Sequence, residues 1–287
     1  LGLDGHDARN TAAIAADARA AAYWRKAAEY QALGPGRVRD ANAALAEFHW
    51  WRTREKLERL GIDAEHALLG LAPRSARPAW LGSWRLRARV VDFYADGSSS
   101  STRAMVAFLR HLGAEVRDDR GGQQIGCACG IVAGRVVVDV EVARRKGRDW
   151  MTVPVARAVD EQWIEQANDV LGYERGYRYP NMERSLTVEH VTQVASDSWM
   201  RSGYADTLPS PGGAHLLPRE DMPWLTVNSY ELVMLTIARE LHDGGNPNGM
   251  YVVNTDDGRR SGHHWFAVAF EATRSGGGGG GGGGAAS

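Results

Sequence analysis

The sequence predicts an α+β fold with a helical region at its N-terminus. Within residues 7–72, apolar residues recur at helical spacing. The period then changes, because residues 84–93 alternate polar and apolar side chains, as a half-buried strand does. Helical and strand patterns both continue to residue 271, so both kinds of element belong to the fold.

The N-terminal region, residues 1–78, contains three predicted helices. Two of them span residues 12–22 and 37–60 and are separated by Gly34-Pro35-Gly36. Asp63 is placed to cap a short third helix at residues 64–71. Residues 73–78 carry two prolines and are predicted to be a linker.

The remaining elements follow in residues 79–274. Cys129 is expected to begin a helix, although the β-branched run at residues 131–142 leaves a strand open there. The other predictions are strands at 84–93, 114–118, 250–254 and 264–271, helices at 102–112, 155–171, 187–201 and 227–242, and a long loop at 204–221. Residues 275–287 include nine consecutive glycines and form a flexible tail.

Composition and charge exclude several classes of function. The 287 residues carry a formal net charge of −1, which gives no support for nucleic-acid binding or for a basic membrane-surface protein. No apolar run is long enough to span a bilayer, and no secretory signal is visible. The two cysteines, Cys127 and Cys129, cannot join distant parts of the chain, which is typical of a reduced, intracellular protein. They are too few for a zinc site, and no metal or cofactor is expected.

Two segments carry the residues of thiol acyl-transfer chemistry. Gln123 stands six residues before Cys129, which is followed by Gly130 and an apolar residue. A thiolate is a nucleophile, and a side-chain amide can donate to the oxyanion that forms on an attacked carbonyl. The second segment contains His263 and His264, of which one would serve as the base. Strand alternation sends the two histidines to opposite faces.

Together these segments resemble a clan of cysteine proteases that includes the ubiquitin-like-protein proteases, the adenoviral protease and bacterial effector deubiquitinases. The clan's nucleophile lies in a Gln-x-x-Gly-x-x-Cys-Gly-Ile/Val context, which residues 123–131 match position by position. Its base lies in a His-Trp pair that opens an apolar strand, as His264-Trp265 does. Its acid lies in a Tyr-x-Asp stretch before a helix, as Asp96 does, and its Trp-Leu pair opening a helix matches Trp224-Leu225 with Glu231.

The order of these motifs differs from that of the clan. Here the acid motif comes first, then Gln123 and Cys129, and the Trp-Leu and His-Trp motifs come last. Cutting the clan's hairpin between its His strand and its Asp strand, and joining the old ends, gives this order. The resemblance therefore implies a circular permutant of the ubiquitin-like-protease fold, a small mixed β-sheet flanked by helices. Val227 stands where the clan commonly has an acidic residue.

The resemblance implies a role for each of these residues. Cys129 would be the nucleophile at a helix N-terminus, where the helix dipole and a nearby imidazolium favour the thiolate. His264 would be the base and Gln123 the oxyanion donor. Asp96 would orient the imidazole, with Asp92, four residues earlier on the same face, as the alternative. Cys127 would be a bystander.

By the same resemblance, Trp224 and Trp265 would form the walls of a narrow tunnel for a Gly-Gly tail; the alternative for each is a core tryptophan. The expected function is that of a bacterial effector deubiquitinase, a cysteine isopeptidase that acts on ubiquitin inside a host cell without a metal or cofactor. The N-terminal helices could dock the modifier, although their apolar stripe is also that of a helical core.

Three alternatives remain open. A SUMO or other ubiquitin-like-modifier protease would use the same site. An effector acetyltransferase would use the same triad with acetyl-CoA, but it needs a basic patch, and the run Arg144-Arg145-Lys146 is expected to be a solvated surface. A non-catalytic ubiquitin-binding module would not need the complete set of catalytic residues.

Overall fold

The structure is a computed structural model, and it describes residues 3–71, 76–93, 100–120, 128–155, 161–174, 186–203, 222–245, 247, 249–255 and 264–274. The α+β prediction is confirmed, since helices flank a mixed five-stranded sheet in these residues. The helices are α1 Leu3–Ala32, α2 Val38–Arg59, α3 Ala64–Leu69, α4 Ser100–His111, α5 Cys129–Arg145, α6 Glu161–Leu171, α7 Val188–Arg201 and α8 Tyr230–His242. The strands are β1 Trp84–Asp92, β2 Glu115–Arg120, β3 Leu225–Ser229, β4 Gly249–Asn254 and β5 Trp265–Arg274.

The sheet has the strand order β2-β1-β5-β4-β3. The central strand β5 is antiparallel to β1 and β4, while β1 pairs with β2 and β4 with β3 in parallel. Four strands therefore end at one edge of the sheet, where β5 begins. We call it the carboxyl edge, and it is marked by Asp92, Ser229, Asn254 and Trp265.

The two faces of the sheet bury different helices. Along β5, Trp265, Ala267 and Ala269 point into a core shared with α5 and α7. Phe266, Val268 and Phe270 point to the other face, where α4 and α8 pack. This alternation is the period-two pattern of a strand that is buried on both faces.

Helix α5 resolves the ambiguity of the β-branched run in favour of a helix. Nearly every position from Cys129 to Val140 is buried, because α5 lies between the sheet and α7. A helix with apolar residues on all sides is stable in such a place, and this burial outweighs the weak local preference of valine for strands. A Cβ on Gly134 would be in ordinary contact with Val191 and Ala195 of α7, so the two helices approach closely there.

The N-terminal region is helical as predicted. Helices α1 and α2 form an antiparallel pair with a seam of buried alanines, and Arg52 of α2 bonds to Asp17 of α1 at 2.5 Å. The second half of α2 contributes Trp50 and Leu57 to the core that lies beneath α4 and α8. Asp63 accepts a hydrogen bond from the His66 backbone and caps α3, as the sequence indicates.

Two predictions of secondary structure are wrong. Residues 227–229 belong to strand β3, and the helix begins only at Tyr230. Thr226 and Val227 are β-branched and lie in β3, which pairs in parallel with β4. The local sequence pattern gave no sign of this pairing. Val155 follows Pro154 and is not helical, and α6 is described from Glu161. The predicted loop at 204–221 and the glycine tail lie outside the described residues.

Candidate active site

Cys129 is the first residue of α5 and lies below the carboxyl edge of the sheet. Its side chain carries a reduced thiol and is 4 % exposed. The N-terminal end of a helix presents unsatisfied N–H groups and a partial positive charge. Both features stabilise negative charge at a helix start. The prediction that Cys129 begins a helix is confirmed.

Gly130 allows the first turn of α5 to sit close to its neighbours. A Cβ at this position would lie 2.9 Å from Leu186 Cδ1 and from Val191 Cγ2, and 3.1 Å from Trp265 Cδ1. Because these distances are shorter than normal contacts, any larger residue would push α5 away from β5 and α7. A glycine directly after Cys129 thus has a steric cause, because it lets the start of α5 approach Trp265 at the beginning of β5.

His264 and Asp92 meet at the carboxyl edge although they are 172 residues apart in the chain. The imidazole Nε2 lies 2.5 Å from Asp92 Oδ1, and both side chains are buried. Asp92 ends β1 and His264 immediately precedes β5, so the antiparallel pairing of these strands places the two residues side by side.

The backbone of His264 is held by Thr255, the residue that follows strand β4. The Thr255 N–H donates to the His264 carbonyl at 2.9 Å, and the His264 N–H donates to the Thr255 hydroxyl at 3.3 Å. These two bonds fix where β5 begins. Sequence reasoning missed Thr255, whose available signal was its position directly after strand β4.

His264 is also hydrogen-bonded to the thiol of Cys129. Burial lowers the pKa of His264, but the hydrogen bonds to Asp92 and Cys129 and the charges of both outweigh burial and raise the pKa to about 9. Since Asp92 occupies Nε2, the nitrogen left for the thiol proton is Nδ1. These interactions favour the protonated form of His264 beside the Asp92 carboxylate and the Cys129 sulfur.

Asp92, which the sequence offered as the alternative to Asp96, is the carboxylate that contacts His264 within the described residues. Asp96, the preferred candidate, lies outside the described residues, as do Gln123, Cys127 and His263. The oxyanion role of Gln123 therefore stays a prediction. Sequence reasoning also missed Thr102, whose hydroxyl donates to Asp92 Oδ2 at 2.6 Å.

The two predicted tunnel tryptophans lie in different places. Trp265 is buried beside Gly130, the residue that follows Cys129. Trp224 instead packs on Trp199 with ring centroids 4.9 Å apart, and Arg145 lies over the Trp199 ring at 4.8 Å. Arg145 ends α5, about 24 Å along the helix from Cys129. Trp224 is therefore a core residue far from Cys129, and the structure does not bring the two tryptophans together.

The register of strands β3, β4 and β5 explains why Trp224 and Trp265 lie far apart. Leu225 pairs with Met250, and Met250 pairs with Ala269, whereas Trp265 pairs with Asn254. Trp224 thus stands at the end of the sheet opposite the carboxyl edge. The Trp-Leu pair opens strand β3 and not a helix, while Glu231 is buried in the first turn of α8.

The basic run at the end of α5 is not a purely solvated surface. Arg144 contacts the fully buried Glu141 through two hydrogen bonds of 2.7 and 2.9 Å, and Arg145 contacts it at 2.9 Å. Both guanidinium groups therefore pair with a buried carboxylate, while Arg145 and Lys146 are exposed, as expected of a solvated surface run.

The described residues hold no group of three or more histidine, cysteine or acidic side chains suited to a metal ion. None of the described helices has the length and apolar character required to cross a membrane. No protein-family model, curated protein or solved structure matches this chain.

Proposed function

We propose that this chain is a cysteine hydrolase that cleaves acyl bonds through a thioester, and that its substrate is a ubiquitin conjugate. The observation that carries the proposal is the buried relay of Cys129, His264 and Asp92. Each member has the chemistry that its place requires: a thiol at a helix N-terminus, an imidazole with a raised pKa and a carboxylate on the far ring nitrogen.

The reaction proceeds in two halves. The Cys129 thiolate attacks the carbonyl carbon, and the carbonyl electrons move to oxygen. Collapse of this tetrahedral intermediate breaks the C–N bond, and the His264 imidazolium gives its proton to the leaving amine. The neutral imidazole then takes a proton from water, whose oxygen attacks the thioester. Release of the carboxylic acid returns the thiolate and the imidazolium.

Asp92 serves both halves by holding the imidazole in one orientation and stabilising its charge. Gln123 is proposed to donate to the oxyanion, as the matching position does in the clan that the sequence resembles. Neither half needs a metal or a redox cofactor, because the nucleophile, the base and the proton all come from these side chains.

Ubiquitin as the substrate follows from the resemblance to the effector deubiquitinases. The antiparallel pairing of β1 with β5 supports the circular permutation, because Trp84 lies opposite Arg274. These are the strand ends at which the N-terminal helices and the glycine tail attach. In a permutant of this kind, the helices α1 and α2 would be an addition at the new terminus. We propose that they contact the body of the modifier, where Trp24 is 54 % exposed.

A selective wall for a Gly-Gly tail would have to come from Trp265 and from residues other than Trp224. Acting inside a host cell as a secreted bacterial effector is the cellular role that the same resemblance suggests.

The test is covalent capture with ubiquitin and SUMO that carry an electrophile at the C-terminus. Wild-type protein is expected to form an adduct with ubiquitin, the Cys127→Ala variant to retain it and the Cys129→Ala variant to lose it. An adduct with SUMO alone would change the modifier but not the chemistry. No adduct with either probe would contradict the proposed substrate, and transfer from acetyl-CoA would then be measured.

A further inference from the structure

The carboxylate of Asp92 uses both of its oxygens. Oδ1 faces His264 Nε2 at 2.5 Å, and Oδ2 accepts a hydrogen bond from the Thr102 hydroxyl at 2.6 Å. Asp92 is 1 % exposed and Thr102 is fully buried. The side chain of Thr102 is therefore built into the site one contact behind the residue that touches the imidazole.

A buried carboxylate needs such a partner. Removing an ionised carboxylate from water is unfavourable unless hydrogen bonds replace its hydration. Thr102 is the third residue of α4, so Oδ2 also lies beside a helix N-terminus, where negative charge is stabilised. These contacts stabilise negative charge on the Asp92 carboxylate while its other oxygen faces the imidazole.

The Thr102 bond also restricts rotation. The terminal torsion of an aspartate side chain is broad, so a carboxylate held at one oxygen can turn its plane. With Oδ2 held by α4 and Oδ1 by His264, only one orientation satisfies both bonds. The neighbouring residue Ser101 donates to the Thr255 carbonyl at 3.2 Å, so the same turn of α4 contacts the residue that holds the His264 backbone.

We propose that Thr102 is a positioning residue, whose hydroxyl holds the Asp92 carboxylate in the orientation that aims Oδ1 at His264. The proposal rests on the thiol chemistry proposed above. It predicts that loss of the hydroxyl impairs the reactivity of Cys129, three contacts away through Asp92 and His264.

The test measures the alkylation of Cys129 by iodoacetamide at pH 7 in a Cys127→Ala background, which needs no substrate. Thr102→Val keeps the shape and removes the hydroxyl, so the rate is expected to fall roughly tenfold, as for loss of a hydrogen bond to a charged group. Thr102→Ser restores the hydroxyl and should stay within about twofold of the parent. Thr53→Val, the same change at another buried helical threonine, is the matched control and should leave the rate unchanged.

A second readout separates positioning from a general loss of stability. Nitrogen NMR of the imidazoles, assigned with His264→Gln, should show that His264 titrates at lower pH in Thr102→Val than in the parent. In an Asp92→Asn background, Thr102→Val should have little further effect on alkylation, because the two residues act in series. If Thr102→Val does not fold, Thr102→Ala carries the same prediction.

The outcomes are distinct. A reactive parent with an unchanged rate and titration in Thr102→Val would overturn the role of Thr102 and leave the proposed function intact. A parent whose Cys129 is no more reactive than an ordinary thiol would contradict the proposed function itself. A lower melting temperature with an unchanged titration would show a structural residue and would also overturn the inference.

Discussion

Replacement of Asp92 by asparagine removes the charge that holds the imidazole and leaves the volume of the side chain unchanged. The bond that it weakens is 2.5 Å long and joins two buried groups, of which the imidazole has its pKa raised to about 9. Hydrogen bonds to charged groups contribute about 1.5–3 kcal/mol net. At 1.4 kcal/mol for each factor of ten, the loss corresponds to roughly 10- to 150-fold in rate.

The asparagine also changes which protons are available. Its amide can donate to Nε2, which favours the imidazole tautomer with the proton on Nδ1, the nitrogen that faces Cys129. The base is then unable to take the thiol proton, so the loss should fall on kcat rather than on KM.

The assay is hydrolysis of a fluorogenic ubiquitin C-terminal substrate, with alkylation of Cys129 by iodoacetamide as a measure independent of the substrate. Asp96→Asn is the matched control, because the sequence favoured Asp96 for the same role. We expect Asp92→Asn to lose activity by the factor given above and Asp96→Asn to stay within about twofold. The reverse result would refute the assignment of Asp92.

Three further changes test other parts of the site. The partners of His264 raise its pKa from 6.5 to about 9, so its contribution to stability is complete below pH 6.5 and is lost as pH rises through 9. Both kcat/KM and the free energy of unfolding in urea should therefore fall between pH 7 and 10. A flat pH profile would contradict this prediction. Gly130→Ala should destabilise the protein by about 1–3 kcal/mol in thermal unfolding. Gly134→Ala is the control, because a Cβ there meets only ordinary contacts, and it should be neutral or stabilising. Equal effects of the two substitutions would argue against the close approach at Gly130. Trp224→Phe should lower the melting temperature without changing KM. Trp265→Phe should change kcat/KM, because Trp265 lies beside Gly130. A raised KM in Trp224→Phe would mean that Trp224 contacts the substrate.

The local elements of the fold were predictable because each has its own signal. The strand β1 and the cap at Asp63 are each visible in a few residues and are confirmed. The half-buried character expected of β1 is wrong from Ala88 to Asp92, where both faces of the strand are buried. Cys129 and His264 were also identifiable, since their neighbours Gly130 and Trp265 form a pattern that has a steric reason in the structure.

The choice between Asp92 and Asp96 was not decidable from the sequence. It depends on the pairing of β1 with β5, whose residues are more than 170 positions apart, and on the exact residue at which β1 ends. The Asp-Gly pair at 96–97 also favours a turn on local grounds. The place of Asp92 beside His264 therefore depends on the register between distant strands, and no local pattern carries that information.

The place of Trp224 in the fold also depends on strand pairing that its local sequence does not show. Its match to the Trp-Leu motif was local, but its place in the fold is set by Leu225 pairing with Met250, at the far end of β4 from the site. The contact with the Trp199 ring depends on α7, which no motif connects to Trp224. A motif match thus identified a buried aromatic residue but not its role.

The central claim is that Cys129 and His264 form a reactive thiolate–imidazolium pair. The most direct test is to alkylate the intact protein with iodoacetamide at pH 7 and to map the labelled cysteine by mass spectrometry, in the parent and in His264→Ala. The account predicts that Cys129 reacts about tenfold faster than an ordinary thiol, and that this excess disappears in His264→Ala. Preferential labelling of Cys127, or equal rates with and without His264, would contradict it.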